Sequence, residues 1–387
     1  MIYLDYAASS PVLPEAAEAA RFYMTEEYAN PSSIHQAAEK SRDVIGRCRR
    51  KIAEMLGCTP SEILFTSGGT ESNNLAVFGA GAGKIRHIIT TAIEHESVLR
   101  AAKAWEAAET GRKLTIMKPD RFGMVSAKQV DEAIHDLPAS ETLVSVMTAN
   151  NELGTIQPIR EIGAVCKKYG VLFHTDAVQA FGHIPIDVGT SGIDYLSGSG
   201  HKFGAPKGVG FLYQAKDAPL RPLFYGGGQE RGLRSGTLNT PGIAGQLFAA
   251  EYAEQHMAVS VLRISALRDR FREEILAAIP DTVENSCSRT KNCLPGHLNL
   301  SFPGIEAETL LIHLDLQGVA VSAGSACASG SLEPSHVLMA LPGMTVERAN
   351  ASLRFSFGEF TTEAECNTAA EILIASVRKL RKLRYGK

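Results

Sequence analysis

Ile159-Arg160-Glu161-Ile162-Gly163-Ala164-Val165-Cys166-Lys167-Lys168-Tyr169-Gly170-Val171-Leu172-Phe173-His174-Thr175-Asp176 decides the fold class. Residues 159–169 read as a helix, and Gly170 ends it as a left-handed C-cap requires. The apolar, β-rich run 171–174 follows at once and reads as a strand. Outward from this unit, similar runs occur at 63–66, 88–91, 143–147 and 209–213, with helical stretches between several of them. Alternation of this kind predicts an α/β fold with a largely parallel sheet covered on both faces. Ligands of such sheets gather at the carboxyl ends of the strands, so the residues just after each strand are the first candidates for function.

Two helical stripes frame that region. Residues 37–57 place Val44, Ile45, Cys48, Ile52, Met55 and Leu56 on one face, and the long stretch 243–279 keeps Ile264, Leu267, Phe271 and Ile275 in register. Beyond it the pattern shortens. The expected division is a large domain over 15–255 and a smaller α+β domain from 1–14 and 256–387. No repeat, low-complexity tract or linker separates them further.

Composition narrows the class. The 387 residues are 44% hydrophobic and 21% charged, with a net charge of −3, an ordinary globular balance that offers nucleic acid no electrostatic footprint. The basic run 378–384 carries leucines at three-residue spacing and reads as the solvated face of a last helix, not a membrane anchor. No apolar stretch is long enough to cross a bilayer, and the opening residues lack the features of a signal peptide. Seven cysteines do not suggest a disulfide framework, so the expected compartment is the reducing cytoplasm and any working cysteine acts as a thiol.

Five segments carry candidate chemistry. Ser67-Gly68-Gly69-Thr70-Glu71-Ser72-Asn73-Asn74 follows a strand and opens a helix, which suits either an anion cradle or a plain glycine turn. It lacks the Gly-Lys-Ser/Thr ending of a nucleotide P-loop. Asp176 ends an apolar strand, where a carboxylate is either a helix cap or a buried charge that needs a cationic partner. Lys202, in Ser197-Gly198-Ser199-Gly200-His201-Lys202-Phe203-Gly204, is expected in a rigid loop, where a desolvated amine can act as a nucleophile; Lys207 reads as a turn lysine. Cys327 sits in Ser322-Ala323-Gly324-Ser325-Ala326-Cys327-Ala328-Ser329-Gly330-Ser331, whose small residues predict an accessible, reactive thiol. Arg354 lies on the polar side of the alternating strand Ser352-Leu353-Arg354-Phe355-Ser356-Phe357, placed for either a carboxylate or a surface ion pair. Cys48 reads as core, and Cys287 with Cys293 is a weak metal-ligand pair.

In order along the chain these segments resemble the cysteine desulfurases of the NifS/IscS type, in the class V branch of fold-type I pyridoxal 5'-phosphate (PLP) enzymes. Further matches are Tyr3-Leu4-Asp5-Tyr6-Ala7-Ala8, Asn30-Pro31-Ser32-Ser33, Glu94-His95, Ala149-Asn150-Asn151-Glu152-Leu153-Gly154 and Gly226-Gly227-Gly228-Gln229-Glu230. The resemblance implies that Lys202 carries the cofactor and Asp176 pairs with its ring nitrogen. It further implies Gln179 and Asn151 at the phenolic oxygen and His95 stacked on the ring as a proton shuttle. Gly69, Thr70, Ser199 and His201 would hold the phosphate, with Thr237 reaching it from a second subunit, hence a homodimer. Arg354, with Asn151, would bind the carboxylate of L-cysteine, and Cys327 would take the sulfur as a persulfide for iron–sulfur assembly or another sulfur transfer. No resident metal is implied, and an iron–sulfur cluster at Cys327 stays open. The expected partner is a sulfur acceptor or scaffold protein, although the sequence stops at Lys387 without the extension that some members use for docking. Two rivals have clear discriminators. Another class V enzyme would share Lys202 and Asp176 but need no Cys327, and a scaffold protein without cofactor would be colourless.

Overall fold

The computed structural model describes residues 1–324 and 333–385. Its strands, in chain order, are β1 (Ile2–Tyr3), β2 (Ile63–Thr66), β3 (His87–Thr91), β4 (Lys113–Met117), β5 (Thr142–Ser145), β6 (Leu172–Asp176), β7 (Tyr195–Ser199), β8 (Gly210–Gln214), β9 (Val283–Glu284), β10 (His297–Ser301), β11 (Val319–Ala320) and β12 (Ser352–Ser356). A seven-stranded sheet has the order β2-β8-β7-β6-β5-β3-β4. Only β8 runs antiparallel to its neighbours, so β2, β3, β5, β6 and β7 all deliver their carboxyl ends to one edge. A three-stranded antiparallel sheet, β12-β10-β9, and the short pair β1-β11 lie elsewhere in the chain.

All five runs expected as strands are strands, displaced by no more than two residues at either end. Two strands of the seven-stranded sheet escape sequence reading. β4 is an edge strand with a mostly exposed, mixed pattern. β7, Tyr195-Leu196-Ser197-Gly198-Ser199, has a loop-like composition yet is wholly buried. Packing explains its glycine: a Cβ on Gly198 would lie 2.3 Å from the ring of Phe211 on β8. The helices follow expectation. Ile159–Tyr169 ends at Gly170 with φ 69°, and Glu39–Leu56 buries Val44, Ile45, Cys48, Ile52 and Leu56 before Gly57, also at φ 69°.

The 39-residue helix Thr240–Ala278 serves two apolar cores. Ile243, Leu247 and Ala250 join Phe65, Phe173 and Phe211 in the first. Ile264, Phe271 and Ile275 join Leu4, Leu298, Phe302, Leu353 and Phe355 in the second, where the Phe271 ring lies 5.2 Å from that of Phe355. The N-terminal segment links them. Leu4 is buried in the second core, Asp5 bridges to Ser356, and Ser10 N–H donates to the carbonyl of His201 (2.9 Å) beside the first.

Candidate active site

At the carboxyl edge of the large sheet lies a cleft of about 730 Å³, open water at its mouth included. Gly69, Thr70, His95, Asn151, Asp176, Gln179, Ser199, His201, Lys202 and Arg354 all line it. Parallel strands explain most of the convergence: every candidate but Arg354 follows, or lies close beyond, the end of a strand aimed at the same edge, and Arg354 enters from the middle of β12 in the smaller sheet. Ala7, Ala8, Asn73, Ser97, Met147 and Val178 complete the lining, and none of these drew attention as a site residue in the sequence.

Lys202 closes a single 3-10 turn, Gly200–Lys202, directly after β7, which gives the expected rigid loop its form. Its Nζ donates to the carbonyls of Ala7 (2.6 Å) and Ala8 (2.9 Å). Its own carbonyl accepts from Ser10 Oγ (2.8 Å) and His183 Nε2 (2.9 Å), so both ends of the residue are fixed. Gln179 Nε2 donates to the same Ala7 carbonyl at 2.9 Å. Lys207 is exposed, as a turn lysine should be.

Asp176 is buried at the end of β6, and its partners are neutral. Oδ2 accepts from Asn73 Nδ2 (2.7 Å) and Oδ1 from the Val178 N–H (2.9 Å). The second bond is the capping turn considered for this residue, and it coexists with a place in the cleft. Asn73 also donates to Ser97 Oγ (2.8 Å), which lies 2.7 Å from His95 Nδ1. Because that ring nitrogen accepts the Ser97 N–H (3.1 Å), the proton of neutral His95 belongs on Nε2. Burial lowers the His95 pKa below its ordinary value; the Asp176 charge opposes this and Lys202 adds to it. For His201, burial, helped by Lys202 and Lys207, brings the pKa down to about 4, so its ring is neutral at pH 7.

The helix Gly69–Gly79 starts here without a side-chain cap, after Gly68 at φ 151°. Its leading N–H groups and positive dipole end make an anion site. Glycine is required for close approach: a Cβ on Gly69 would lie 2.5 Å from Val178 Cγ2. The first-turn acid, Glu71, is drawn aside by Arg234 (2.8 Å) and the Ser67 N–H (2.8 Å).

Arg354 does not form the surface ion pair that is one of its two sequence readings. All of β12 is buried, and Arg354 is only 1% exposed. Its Nη2 donates to Asp5 Oδ1 (2.7 Å) and its Nη1 to the Asn151 carbonyl (3.1 Å), while Ser322 Oγ donates to Asp5 Oδ2 (3.3 Å). Arg354 Nε and Asn151 Oδ1 are buried with no hydrogen-bond partner among the described residues. Two unsatisfied polar atoms in one polar cleft suit a ligand that is itself polar. In the sequence Asp5 has no evident role, because a lone acid near the N-terminus carries no signal until its arginine is in place.

Thr237 is exposed and does not line this cleft, and Cys327 lies outside the described residues. Cys287 and Cys293 belong to no group of three or more metal-ligating side chains among the described residues. No described helix is long and apolar enough to cross a membrane.

Known proteins bear on this geometry. The family described as Aminotransferase class-V matches residues 2–368. The cysteine desulfurase IscS of Dictyoglomus turgidum is 44% identical over 385 residues, covering 99% of this chain and 96% of its own. The putative cysteine desulfurase IscS 1 of Bacillus subtilis is also 44% identical, over 390 residues, covering 98% of this chain and 99% of its own. Among solved structures, a NifS-like protein superposes with a TM-score of 0.87 at 34% identity, over 98% of this chain and 99% of its own. SspA in complex with cysteine gives 0.80 at 38% identity, over 94% of this chain and all of its own. A half-buried lysine and a buried carboxylate at the ends of adjacent strands, beside an anion-binding helix start, thus come with full-length likeness to one group: the chain belongs to the class V aminotransferase family, as a PLP-dependent cysteine desulfurase of the IscS/NifS type.

Proposed function

We propose that the cleft converts L-cysteine to L-alanine with Lys202 as cofactor anchor, Arg354 as carboxylate site and Cys327 as sulfur acceptor. One observation carries the assignment: Lys202 and Asp176 leave adjacent strands into the same cleft, beside an uncapped helix start. PLP fits these residues. The helix start, Thr70, Ser199 and the neutral ring of His201 would hold its phosphate. Asp176, whose bonds come only from neutral donors, would face the ring nitrogen, with His95 over the ring and Gln179 and Asn151 at the phenolic oxygen. When bound, PLP supplies an aldehyde that condenses with amines and a ring that takes up electrons released at the substrate Cα.

The chain's own residues do the rest. Arg354 orients cysteine through its carboxylate, and Asn151 offers an amide oxygen with no other partner. Lys202, displaced by the substrate amine, moves the Cα proton. The Cys327 thiolate attacks the substrate sulfur; an S–S bond forms, the C–S bond breaks, and carbon keeps the electron pair that is later protonated as alanine is formed. Borohydride reduction should fix the cofactor covalently to Lys202 in peptide mapping. A label on Lys207, or a colourless protein, would overturn the assignment.

The remaining parts of this reading are proposals of the same kind. The two cores support a large domain over 15–255 and a small one from 1–14 and 256–387, with the boundary inside the long helix, between Ala253 of the first core and Ile264 of the second. Thr237, exposed in one chain, would complete the phosphate site of a second copy in a cytoplasmic homodimer. Sulfur would pass from Cys327 to an acceptor or scaffold protein, for iron–sulfur assembly or another sulfur transfer.

A further inference from the structure

Cys287 and Cys293 take no part in the chemistry above. Cys287 Sγ donates to the carbonyl of Asn292 (3.2 Å), the residue that adjoins Cys293, and Cys293 Sγ approaches the Leu153 carbonyl at 3.9 Å. Cys287 is buried and Cys293 half-buried, so the pair can be reached from one side. The intervening residues fold back on themselves, since the Thr290 N–H (2.8 Å) and Oγ1 (2.9 Å) both donate to the Cys287 carbonyl.

The other described cysteines lack these features. Cys48, Cys166 and Cys366 sit in helices among apolar side chains, and burial pushes their thiol pKa values up, to about 12 for Cys166 and about 11 for Cys366. Half-buried Cys58 is pushed up to about 12 in the same way. Cys287 alone is lowered, first by the neighbouring Cys293 thiol, while Cys287 and then burial raise Cys293. One of the two thiols therefore ionises before the other, as a reactive dithiol requires.

The pair also grips the cleft from behind. Cys293 forms a β-bridge with Thr155, the Ile156 N–H donates to the Asn292 carbonyl (2.9 Å), and the Leu294 N–H to the Gly154 carbonyl (2.8 Å). These contacts hold the turn Asn150–Ile156, which includes Asn151, whose carbonyl holds Arg354. Packing is tight: a Cβ on Gly154 would lie 3.2 Å from Cys293 Sγ and 2.5 Å from His297 Cβ.

We propose that Cys287 and Cys293 form a peroxide-reactive dithiol site, whose conversion to a disulfide stiffens the Asn150–Ile156 turn behind the substrate cleft. The first thiolate attacks a hydroperoxide oxygen; the O–O bond breaks and the alcohol, or water from hydrogen peroxide, departs. The second thiol attacks the resulting sulfenic sulfur and expels water. Two thiols and one hydroperoxide give one disulfide, one alcohol and one water, with sulfur oxidised and oxygen reduced. A reducing compartment keeps the pair as thiols until peroxide rises.

The test uses cofactor-loaded Cys327→Ser protein, so that the sulfur acceptor does not consume the oxidant. After graded hydrogen peroxide, alkylation under denaturant and peptide mass mapping, the segment holding Cys287 and Cys293 should carry no alkyl groups and have lost two hydrogens. A dithiol reductant should restore both thiols, and Cys48, Cys58, Cys166 and Cys366 should stay alkylatable throughout. Amide hydrogen exchange across residues 150–156 should slow about fivefold on oxidation, because a short cross-link restricts local opening. It should not slow in the added Cys287→Ser variant. Two alkylated thiols after peroxide, single-thiol oxidation without a disulfide, or unchanged exchange in the oxidised protein would each overturn the proposal.

Discussion

Arg354→Ala separates substrate binding from stability because the arginine takes part in both. It is nearly fully buried and holds Asp5 at 2.7 Å, with Asp5's own side chain only 16% exposed. Deleting it removes a charge-assisted contact to the cysteine carboxylate, a loss of about 2–4 kcal/mol, or roughly 30- to 900-fold in KM at 1.36 kcal/mol per tenfold. The same deletion strands the Asp5 carboxylate and costs about 3 kcal/mol of folding stability. Adding Asp5→Asn removes the stranded charge, so the double variant should regain much of the stability and none of the binding. Urea melts report the first quantity and alanine release against cysteine concentration the second. Unchanged KM in Arg354→Ala would remove Arg354 from the carboxylate site. KM that recovers together with stability in the double variant would show that the binding defect was only a symptom of misfolding.

Three other outcomes are expected. Cys327→Ser should still change the cofactor's absorption when cysteine is added, yet form neither alanine nor persulfide; normal alanine formation would return the chain to the wider class V group. Gly69→Ala should weaken PLP retention by about tenfold in apoprotein titrations, since its Cβ would lie 2.5 Å from Val178 Cγ2 and pushes the helix start away from the turn after β6; equal retention would place the phosphate elsewhere. Glu94 is buried between the Thr91 hydroxyl (2.9 Å) and the Met147 N–H (2.9 Å), and burial raises its pKa from 4.5 to about 8, against the pull of those two donors. A carboxyl whose folded pKa lies above its unfolded value binds more protons when folded, so its contribution to stability falls as pH rises from 4.5 to about 8. Glu94→Gln should flatten that decline, gaining melting temperature over the parent at pH 8 more than at pH 5; parallel melting curves would refute the raised pKa.

Sequence by itself determined the alternating α/β plan, because helix period, glycine caps and short apolar runs are local signals that burial then satisfies. It also marked most of the cleft: Gly69, Asp176 and Lys202 stand just after strand-like or glycine-rich punctuation, where parallel sheets place ligands. Its failures share a cause. β7 reads as a loop from Ser197-Gly198-Ser199, and only the ring of Phe211 across the sheet explains why a glycine serves a buried strand. Asp5 and Arg354 lie 349 residues apart, and no spacing rule joins them; β12, Asp5's bridge to Ser356 and the parallel pairing of β1 with β11 do. The polar side of β12 was legible as a pattern but not as buried, because alternation distinguishes two faces without saying what covers the polar one. Cys287 and Cys293 were visible as neighbours in sequence. Their place against the turn that carries Asn151 exists only once Cys293 has paired with Thr155, 138 positions away, a long-range β-bridge that local physics cannot announce.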